Sequence, residues 1–207
     1  MKSVKIILIT TCLIAWASAG FSQQGRTTLN INYSVNSPMG SFKDNIVSKS
    51  SFRGWNANIL HGIDDHISIG LQTGVNYYHE KFPRQVYNTK DGDISAVVTN
   101  TVQTIPLQAK LRYNLAPGAV VQPYIGAGAG GNIIMFNQYL GRFSGSSKSG
   151  FGFAVSPEAG IQIPFTRSGS SGLTIGAEYN YMPFKYADIK NLNNWGIYAG
   201  VRFPLSR

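Results

Sequence analysis

The chain has 207 residues, a formal net charge of +9 and only 13% charged residues. Typical soluble domains contain about 25% charged residues, so a large part of this surface is not expected to face water. The length suffices for one domain and hardly for two. No apolar run long enough for a transmembrane helix follows the first segment, which argues against a helical membrane protein.

Residues 1–22 are predicted to be a secretory signal peptide. Lys2 and Lys5 precede an apolar run from Ile6 to Trp16, and Ala17-Ser18-Ala19 has the small residues of a cleavage site. Cleavage after residue 19 and cleavage after residue 22 both fit this pattern. A retained anchor is the alternative, but the run is shorter than the roughly 20 residues that a transmembrane helix needs. Residues 23–207 are then the mature domain.

Eight segments of the mature domain alternate apolar and polar side chains at every residue. In the first, Leu29, Ile31 and Tyr33 lie on one side, with Asn30 and Asn32 on the other. A period of two residues indicates a β-strand. The predicted strands are residues 27–35, 52–61, 67–78, 101–114, 121–131, 152–163, 173–182 and 194–203. Strands of about ten residues are long enough to cross an outer membrane.

The connections between these strands alternate between long and short. The short ones cover 62–66, 115–120 and 164–172, and the long ones cover 36–51, 79–100, 132–151 and 183–193. Outer-membrane barrels have short periplasmic turns and longer extracellular loops, and an even number of strands leaves both termini in the periplasm. We therefore predict an all-β, eight-stranded antiparallel up-and-down transmembrane barrel in the cell outer membrane. A soluble lipocalin-like barrel or a β-sandwich is the alternative.

The polar side of the strands is expected to fill the lumen. A barrel of eight strands is just wide enough for its own side chains, so an open pore for solutes is not expected. Glycines opposite tyrosines on this side are expected to make room for the rings. Pro106 and Pro157 lie inside strands that have no free edge, and we expect local bulges there.

Two glutamates on the lumen side are predicted to face each other. A turn that is symmetric about residue 168 places Glu158 opposite Glu178, where two buried carboxylates would repel. Lys110, Arg112 and Arg202 are the cations on the same side, and we expect at least one of them to bridge the pair. The catalytic alternative makes the glutamates an acid and a base, but a filled lumen offers no route for a substrate.

The outward side predicts contacts with lipid. The aromatic residues expected at the membrane interfaces are Trp55, Tyr77, Tyr113, Tyr181, Trp195 and Phe203. The predicted loops carry nine basic and five acidic residues, a surplus of four positive charges beside the phosphates of lipopolysaccharide. Arg53 is a candidate for a bidentate contact with such a phosphate. Ordinary solvation of exposed loops is the alternative for these charges, and nucleic acid is not an expected partner.

The sequence predicts no cofactor and no metal site. Gly126 to Gly131 fit a dinucleotide-binding pattern, but no amphipathic helix follows and no acidic residue lies about twenty positions later. His61 and His66 flank two aspartates in a segment that fits a polar turn better than a metal site. Asp91 and Asp93 lack the spacing and the closing glutamate of a calcium loop.

The mature chain resembles a group of small outer-membrane barrels. The residues that carry the resemblance are Ile105-Pro106-Leu107, the segment from Pro123 to Gly128 and the closing strand from Trp195 to Phe203. They resemble the family that includes the OmpA membrane domain and OmpX-like proteins, in the form of its Bacteroidetes PorT-like members. The resemblance implies a surface structural protein, an adhesin or a part of a secretion system. The chain continues for four residues past Phe203, unlike the expected aromatic terminus, and no peptidoglycan-binding domain follows.

Three functional classes fit these features. The leading hypothesis is a non-enzymatic barrel with a structural or adhesin-like, surface-interaction role. The second is an accessory subunit of an outer-membrane secretion or uptake complex. The third is an enzyme that modifies the acyl chains of lipid A, for which His79 beside Glu80 lies near the outer leaflet, although no serine is placed for activation.

Overall fold

The computed structural model describes residues 25–89, 92–141, 143–166, 171–186 and 189–205, so the predicted signal peptide lies outside the described residues. None of these residues forms a helix with the length and hydropathy needed to cross a bilayer. The elements in chain order are β1 (Thr27–Pro38), α1 (Ser41–Asn45), β2 (Ser51–Gly62), β3 (Ile67–Lys81), β4 (Gln85–Thr89), β5 (Gly92–Ala96), β6 (Val98–Asn114), β7 (Gln122–Leu140), β8 (Phe143–Pro164), β9 (Gly172–Asn180), β10 (Pro183–Tyr186), β11 (Ile189–Asn191) and β12 (Asn194–Pro204).

Eight of these strands form one closed barrel. Its order is β1-β2-β3-β6-β7-β8-β9-β12, and β12 returns to pair with β1 from Thr28↔Pro204 to Pro38↔Asn194. All eight pairings are antiparallel, and each strand pairs with the next barrel strand along the chain. The predicted eight-stranded up-and-down barrel is confirmed.

The barrel buries its polar side chains and exposes its apolar ones. On β1, Asn30 and Asn32 are buried, whereas Ile31 and Tyr33 are 45% and 54% exposed. The other strands repeat the arrangement, with Leu107 exposed between buried neighbours on β6. A soluble barrel or sandwich would bury the apolar side instead, since burial of apolar surface drives folding in water. An apolar belt on a closed barrel suits hydrocarbon, where a strand edge could not be satisfied.

The two ends of the barrel differ, and we call them the turn end and the loop end. The turn end holds residues 25–27 and 204–205 and the connections 63–66, 115–121 and 165–171. The loop end holds the other four connections. Three of them are long, as predicted, but the fourth, between β7 and β8, is short. The loop end is more ordered than predicted, because it contains α1, the hairpin β4–β5 and the hairpin β10–β11.

The connection predicted at residues 132–151 is a hairpin and not a long irregular loop. β7 continues to Leu140 and β8 begins at Phe143, with Gly141 in the left-handed region at φ 62°. These strands have 19 and 22 residues, about twice the 9–11 that a strand needs to cross a membrane. The prediction was wrong because glycine, serine and asparagine interrupt the alternation of apolar residues once the strands leave the membrane.

The two prolines interrupt ladders without shifting the register. The pairing of β3 with β6 skips the residues opposite Pro106 and resumes in the same register at Asn76↔Thr104. On β8, the ladder with β9 stops at Glu158↔Glu178, and the bridge Val155↔Tyr181 beyond Pro157 keeps the same register. The predicted bulges are therefore wrong. No residue is inserted, and each proline only removes one N–H donor from a ladder.

The apolar core of the protein lies at the loop end, inside the mouth of the barrel. Phe42 of α1 and Val47 are fully buried there, and Phe42 packs edge-to-face on Tyr78 with ring centroids 4.9 Å apart. The complete cluster consists of Phe42, Ile46, Val47, Tyr78, Val102, Ile134, Phe136, Ala154, Met182 and Leu192. We call these residues the loop-end plug, because segments from two connections and from the barrel wall meet in them.

Candidate functional site

The middle of the lumen is organised around Glu158. Lys110 Nζ lies 2.6 Å from Glu158 Oε2, and Arg112 donates from Nε and Nη2 to Glu158 Oε1 at 3.2 and 3.1 Å. The Tyr198 hydroxyl donates to Glu158 Oε2 at 2.6 Å. Since all these side chains are buried, one carboxylate holds two cations and a phenol in place.

Glu178 lies opposite Glu158 in the β8–β9 register but has different partners. Its carboxylate accepts amide hydrogens from Gln72 Nε2 at 3.4 Å and Asn180 Nδ2 at 3.2 Å. Lys110 donates to Gln72 Oε1, so the Gln72 amide lies between the ammonium and Glu178. The expected cation bridge across the two glutamates is not the arrangement found among the described residues. Gln72 takes that position, with its NH₂ group directed at Glu178.

Glycines provide the room for two tyrosines in the lumen. Tyr124 pairs with Gly160 and Tyr198 with Gly176, and the two hydroxyls are 2.7 Å apart. The guanidinium of Arg112 lies 4.1 Å from the centre of the Tyr124 ring. This is the predicted arrangement of glycines opposite rings. The rings fill the section of the lumen beside Glu158.

Gly176→Ala is expected to destabilise the barrel by about 1–3 kcal/mol, since it overpacks the lumen. A Cβ atom at Gly176 would lie 2.7 Å from Tyr198 Cζ and 2.9 Å from the Tyr124 hydroxyl. Urea unfolding in phospholipid vesicles measures the loss. The control is Gly62→Ala, where the nearest atom would be 3.6 Å away. Equal effects of the two substitutions would show that the rings do not need this space.

Arg202 lies apart from the two glutamates, near the turn end. Its Nη1 donates to Gln162 Oε1, and the side chain lines a cavity with Arg112 at its inner end. The five charged residues predicted for the lumen therefore lie at two depths in the barrel. Lys110, Arg112 and the glutamates lie in the middle of the lumen, and Arg202 lies nearer the turn end.

The predicted interfacial aromatic residues lie on the outward side. Five of them are more than a third exposed, namely Trp55, Tyr113, Tyr181, Trp195 and Phe203, and Tyr77 is half-buried. Trp195 and Phe203 are eight residues apart on β12, about 26 Å along the strand. Because barrel strands are tilted by about 35–45°, this length spans about 20 Å of height, most of the roughly 25 Å apolar band of an outer-membrane barrel. Arg53 is exposed, and its guanidinium lies 5.7 Å from the centre of the Tyr77 ring.

Four strands continue past the rest of the barrel at the loop end. We call this sheet the wing, and it consists of residues 77–81 of β3, 98–104 of β6, 133–140 of β7 and 143–154 of β8. Within the described residues, no strand forms a ladder with the second edge of β8 between Phe143 and Ala154. β10 approaches this edge, with Phe184 near Gly150, but does not pair with it. The wing therefore ends in an open strand edge.

The family model named outer membrane protein beta-barrel domain matches residues 6–203 of this chain. The match covers nearly the whole chain, and the closed barrel with its outward apolar side agrees with it. The chain belongs to this outer-membrane β-barrel family. The predicted family and the predicted location in the outer membrane are confirmed at this level. No sequence among the curated proteins matches the chain.

Solved structures of two outer-membrane proteins resemble this outer-membrane barrel. OprG from Pseudomonas aeruginosa has a TM-score of 0.53 and 10% identity, over 88% of this chain and 97% of that one. Neisserial surface protein A has a TM-score of 0.51 and 18% identity, over 87% of this chain and 97% of that one. At these identities the likeness shows the fold alone.

His79 and Glu80, the residues considered for catalysis in this outer-membrane barrel, lie on opposite sides of β3. His79 is exposed, whereas Glu80 is buried and accepts hydrogen bonds from the Ser48 hydroxyl at 2.7 Å and from its backbone N–H. Alternation along β3 thus separates His79 from Glu80. No group of three or more histidines and carboxylates among the described residues could hold a metal ion. The motif around residues 91–93 falls outside the side chains that the structure describes.

The turn at residues 63–66 is closed by Asp64. Its Oδ1 accepts the backbone N–H groups of His66 at 2.7 Å and Ile67 at 2.6 Å. The hydrogen bonds from Ile67 and His66 lower the pKa of Asp64 below its ordinary value. The His66 ring Nδ1 lies 2.8 Å from the Asn114 carbonyl oxygen, and the ring stacks on Tyr113. The segment is a hydrogen-bonded turn of the kind that its sequence favours.

Proposed function

We propose that the protein is a non-enzymatic surface barrel that binds a protein partner through the open edge of β8. An extended segment of the partner would add to the wing as a further strand. The open edge is the observation that carries this proposal, because an unpaired edge offers a row of N–H and C=O groups to another chain. The proposal gives the adhesin-like role a defined surface.

The backbone groups that face the open edge follow from the register. Val155 exchanges two backbone hydrogen bonds with Tyr181, at 3.0 Å and 2.8 Å, so its N–H and C=O point away from β7. Because backbone groups alternate along a strand, those of Phe153, Phe151 and Ser149 point the same way. Ser149 is exposed and lies beyond the part of β8 that β10 approaches. Its N–H is the donor best placed for a partner strand.

The orientation of the barrel is part of this proposal. The turn end would face the periplasm and the wing would face outward, since outer-membrane barrels place their longer connections outside. Export would use the predicted signal peptide at residues 1–22, which leaves residues 23–207 as the mature domain. Exposed Arg53, held over Tyr77, would bind a phosphate of lipopolysaccharide at the outer interface.

Ser149→Pro is expected to abolish partner binding and leave the barrel folded. Proline removes an N–H that points to the open edge, so no bond to β7 is lost. The matched control is Ser149→Ala, which removes the hydroxyl and keeps the N–H. A photo-crosslinker at residue 147, in intact outer membranes, measures capture of the partner in the parent protein and in both variants.

The outcomes of the crosslinking experiment separate the functional classes. Capture that survives in the alanine variant and is lost in the proline variant supports strand addition at β8. Equal capture by both variants contradicts it. A crosslinker at Ile197 on the exposed apolar side reports the alternative, in which a larger barrel covers the lipid-facing wall as in a secretion or uptake complex. Stoichiometric capture there would replace the proposal by the accessory-subunit hypothesis.

The non-enzymatic part of the proposal has its own test. Lipid A from cells with and without the protein should show the same acyl chains by mass spectrometry. The separation of His79 from Glu80 supports this expectation, because a general base needs a carboxylate within hydrogen-bonding reach to orient it. A changed acyl pattern would contradict it.

A further inference from the structure

The turn end contains a cavity that the wing and the lumen network do not use. It has a volume of about 570 Å³ and is lined by residues of two short connections, 63–66 and 115–121, and by the adjoining strand ends. Three arginines line it, namely Arg26, Arg112 and Arg202, together with the amide side chains of Asn114, Gln122 and Gln162. Its lining therefore includes three cationic groups and three amides that can donate hydrogen bonds.

Arg112 at the inner end of the cavity has an unused donor. Its side chain is only 4% exposed, and its Nε and Nη2 donate to Glu158. Its Nη1 is buried and has no hydrogen-bond partner in the part of the chain that the structure describes. A buried cationic donor without an acceptor is costly, so an acceptor that reached Nη1 would be bound favourably.

The three arginines face one space, because Arg26, Arg112 and Arg202 all line the cavity. Like charges around one space repel each other. A repulsive set of guanidinium groups around one space is stabilised by an anion placed among them. Guanidinium groups also match the planar geometry of carboxylate and phosphate oxygens.

Among the described residues, the carboxylates near the cavity have other partners or lie at its rim. Glu158 is engaged by Lys110, Arg112 and Tyr198, on the inner side of the guanidinium. Asp64 directs Oδ1 to two backbone N–H groups of its own turn, and Asp65 is exposed on the rim. Both aspartates line the cavity, so the positive electrostatic potential in the cavity is weaker than three arginines alone would produce.

We propose that the turn-end cavity binds an oxyanion group, phosphate or carboxylate, of a small solute. Arg112 Nη1 supplies the innermost donor, and Arg202 and Arg26 supply charge towards the rim. The inference concerns a different end of the molecule from the wing. Only the compartment of the solute, the periplasm, rests on the proposed orientation.

Side-chain NMR of the folded, full-length chain in lipid nanodiscs tests the site. Inorganic phosphate and acetate are added in separate titrations at constant ionic strength, and the arginine Nε–H signals are followed. We expect saturable shifts at Arg112 and Arg202 with one dissociation constant and no saturable shift at Arg84, which is exposed at the loop end. Saturation by phosphate alone assigns phosphate groups, and saturation by acetate as well assigns carboxylates too. Absence of saturation at Arg112, or an equal response at Arg84, overturns the proposal.

Arg202→Gln is expected to weaken phosphate binding by about tenfold or more, since it removes one charge-assisted contact. Arg84→Gln is the matched control, with the same change of charge at the opposite end, and should leave the dissociation constant unchanged. If Arg202→Gln does not insert into nanodiscs, Arg26→Gln at the exposed rim is used in its place. Equal affinity in the cavity variant and the control would overturn the proposal.

Discussion

Glu158→Gln is expected to lower the free energy of unfolding by about 3–5 kcal/mol, because it leaves two buried cations without their counter-charge. The side chains of Lys110 and Arg112 are 1% and 4% exposed, so water cannot replace the carboxylate in the folded barrel. Tyr198 would also lose an acceptor that carries a full charge. Urea unfolding in phospholipid vesicles, followed by tryptophan fluorescence, measures the change.

Glu178→Gln is the matched control for this prediction. The same substitution is made directly across the β8–β9 ladder, but Glu178 receives amide hydrogens only. Its loss is expected to be about 1 kcal/mol, the usual net contribution of a hydrogen bond. Equal losses in both variants would contradict the assignment of the two cations to Glu158. Loss of an activity in a folded Glu158→Gln barrel would favour a catalytic role for the pair.

Adding Lys110→Met to Glu158→Gln tests the same pair from the other side. Removing the ammonium should recover part of the lost stability, because one of the two uncompensated charges is then absent. Arg112 stays unpaired in this double variant, so recovery is expected to be incomplete. A loss in the double variant equal to the sum of the losses in Glu158→Gln and Lys110→Met would show that the ammonium contributes through Gln72 and not through Glu158.

Alternation along the strands was enough to predict the barrel and the facing glutamates. Each residue on β8 has its partner on β9 fixed by the turn between them, so Glu158 and Glu178 could be paired by counting. Space for tyrosine rings opposite glycines was also expected from this alternation, and both Tyr124 and Tyr198 lie opposite glycines. These features depend only on neighbouring strands.

Contacts across the lumen could not be predicted by counting. Gln72 on β3 meets Glu178 on β9 on the far side of the barrel, and only the width and stagger of the closed ring bring them together. The loop-end plug was not predicted either, because its residues come partly from connections between strands. Phe42, Ile46 and Val47 are apolar residues in a stretch that was treated as a loop, and an apolar cluster in a loop is a signal that the segment packs inward.

The wing was missed because its strands do not separate apolar and polar residues between their two sides: Ile134 is apolar and buried, and its neighbour Ile133 is apolar and exposed. Once β7 and β8 leave the membrane, their outward residues no longer need to be apolar, and the period of two becomes difficult to see. Inward residues such as Ile134 and Phe136 still alternate, since they pack on the loop-end plug. An alternation of inward residues alone could have extended the predicted strand β7 beyond residue 131.

Phe42→Ala is expected to open the loop-end plug without opening a path through the barrel. The ring is fully buried against Tyr78, and removal of a buried phenylalanine costs about 3–5 kcal/mol. The segment stays tethered through Ser48, which donates to Glu80, and through the Ile46 carbonyl, which accepts from Asn100. Amide hydrogen exchange at residues 41–47 should become about 10²- to 10³-fold faster, because each 1.4 kcal/mol is a factor of ten.

Met39→Ala in the same connection is the control, because Met39 is exposed and its substitution should leave exchange at residues 41–47 unchanged. Planar-bilayer recordings should show no ion conductance in either variant. The reason is that Glu158 with its two cations, and the contact between Tyr124 and Tyr198, still fill the lumen below the plug. Steady conductance in Phe42→Ala would show that the plug is the only barrier and that the charged network leaves a continuous path.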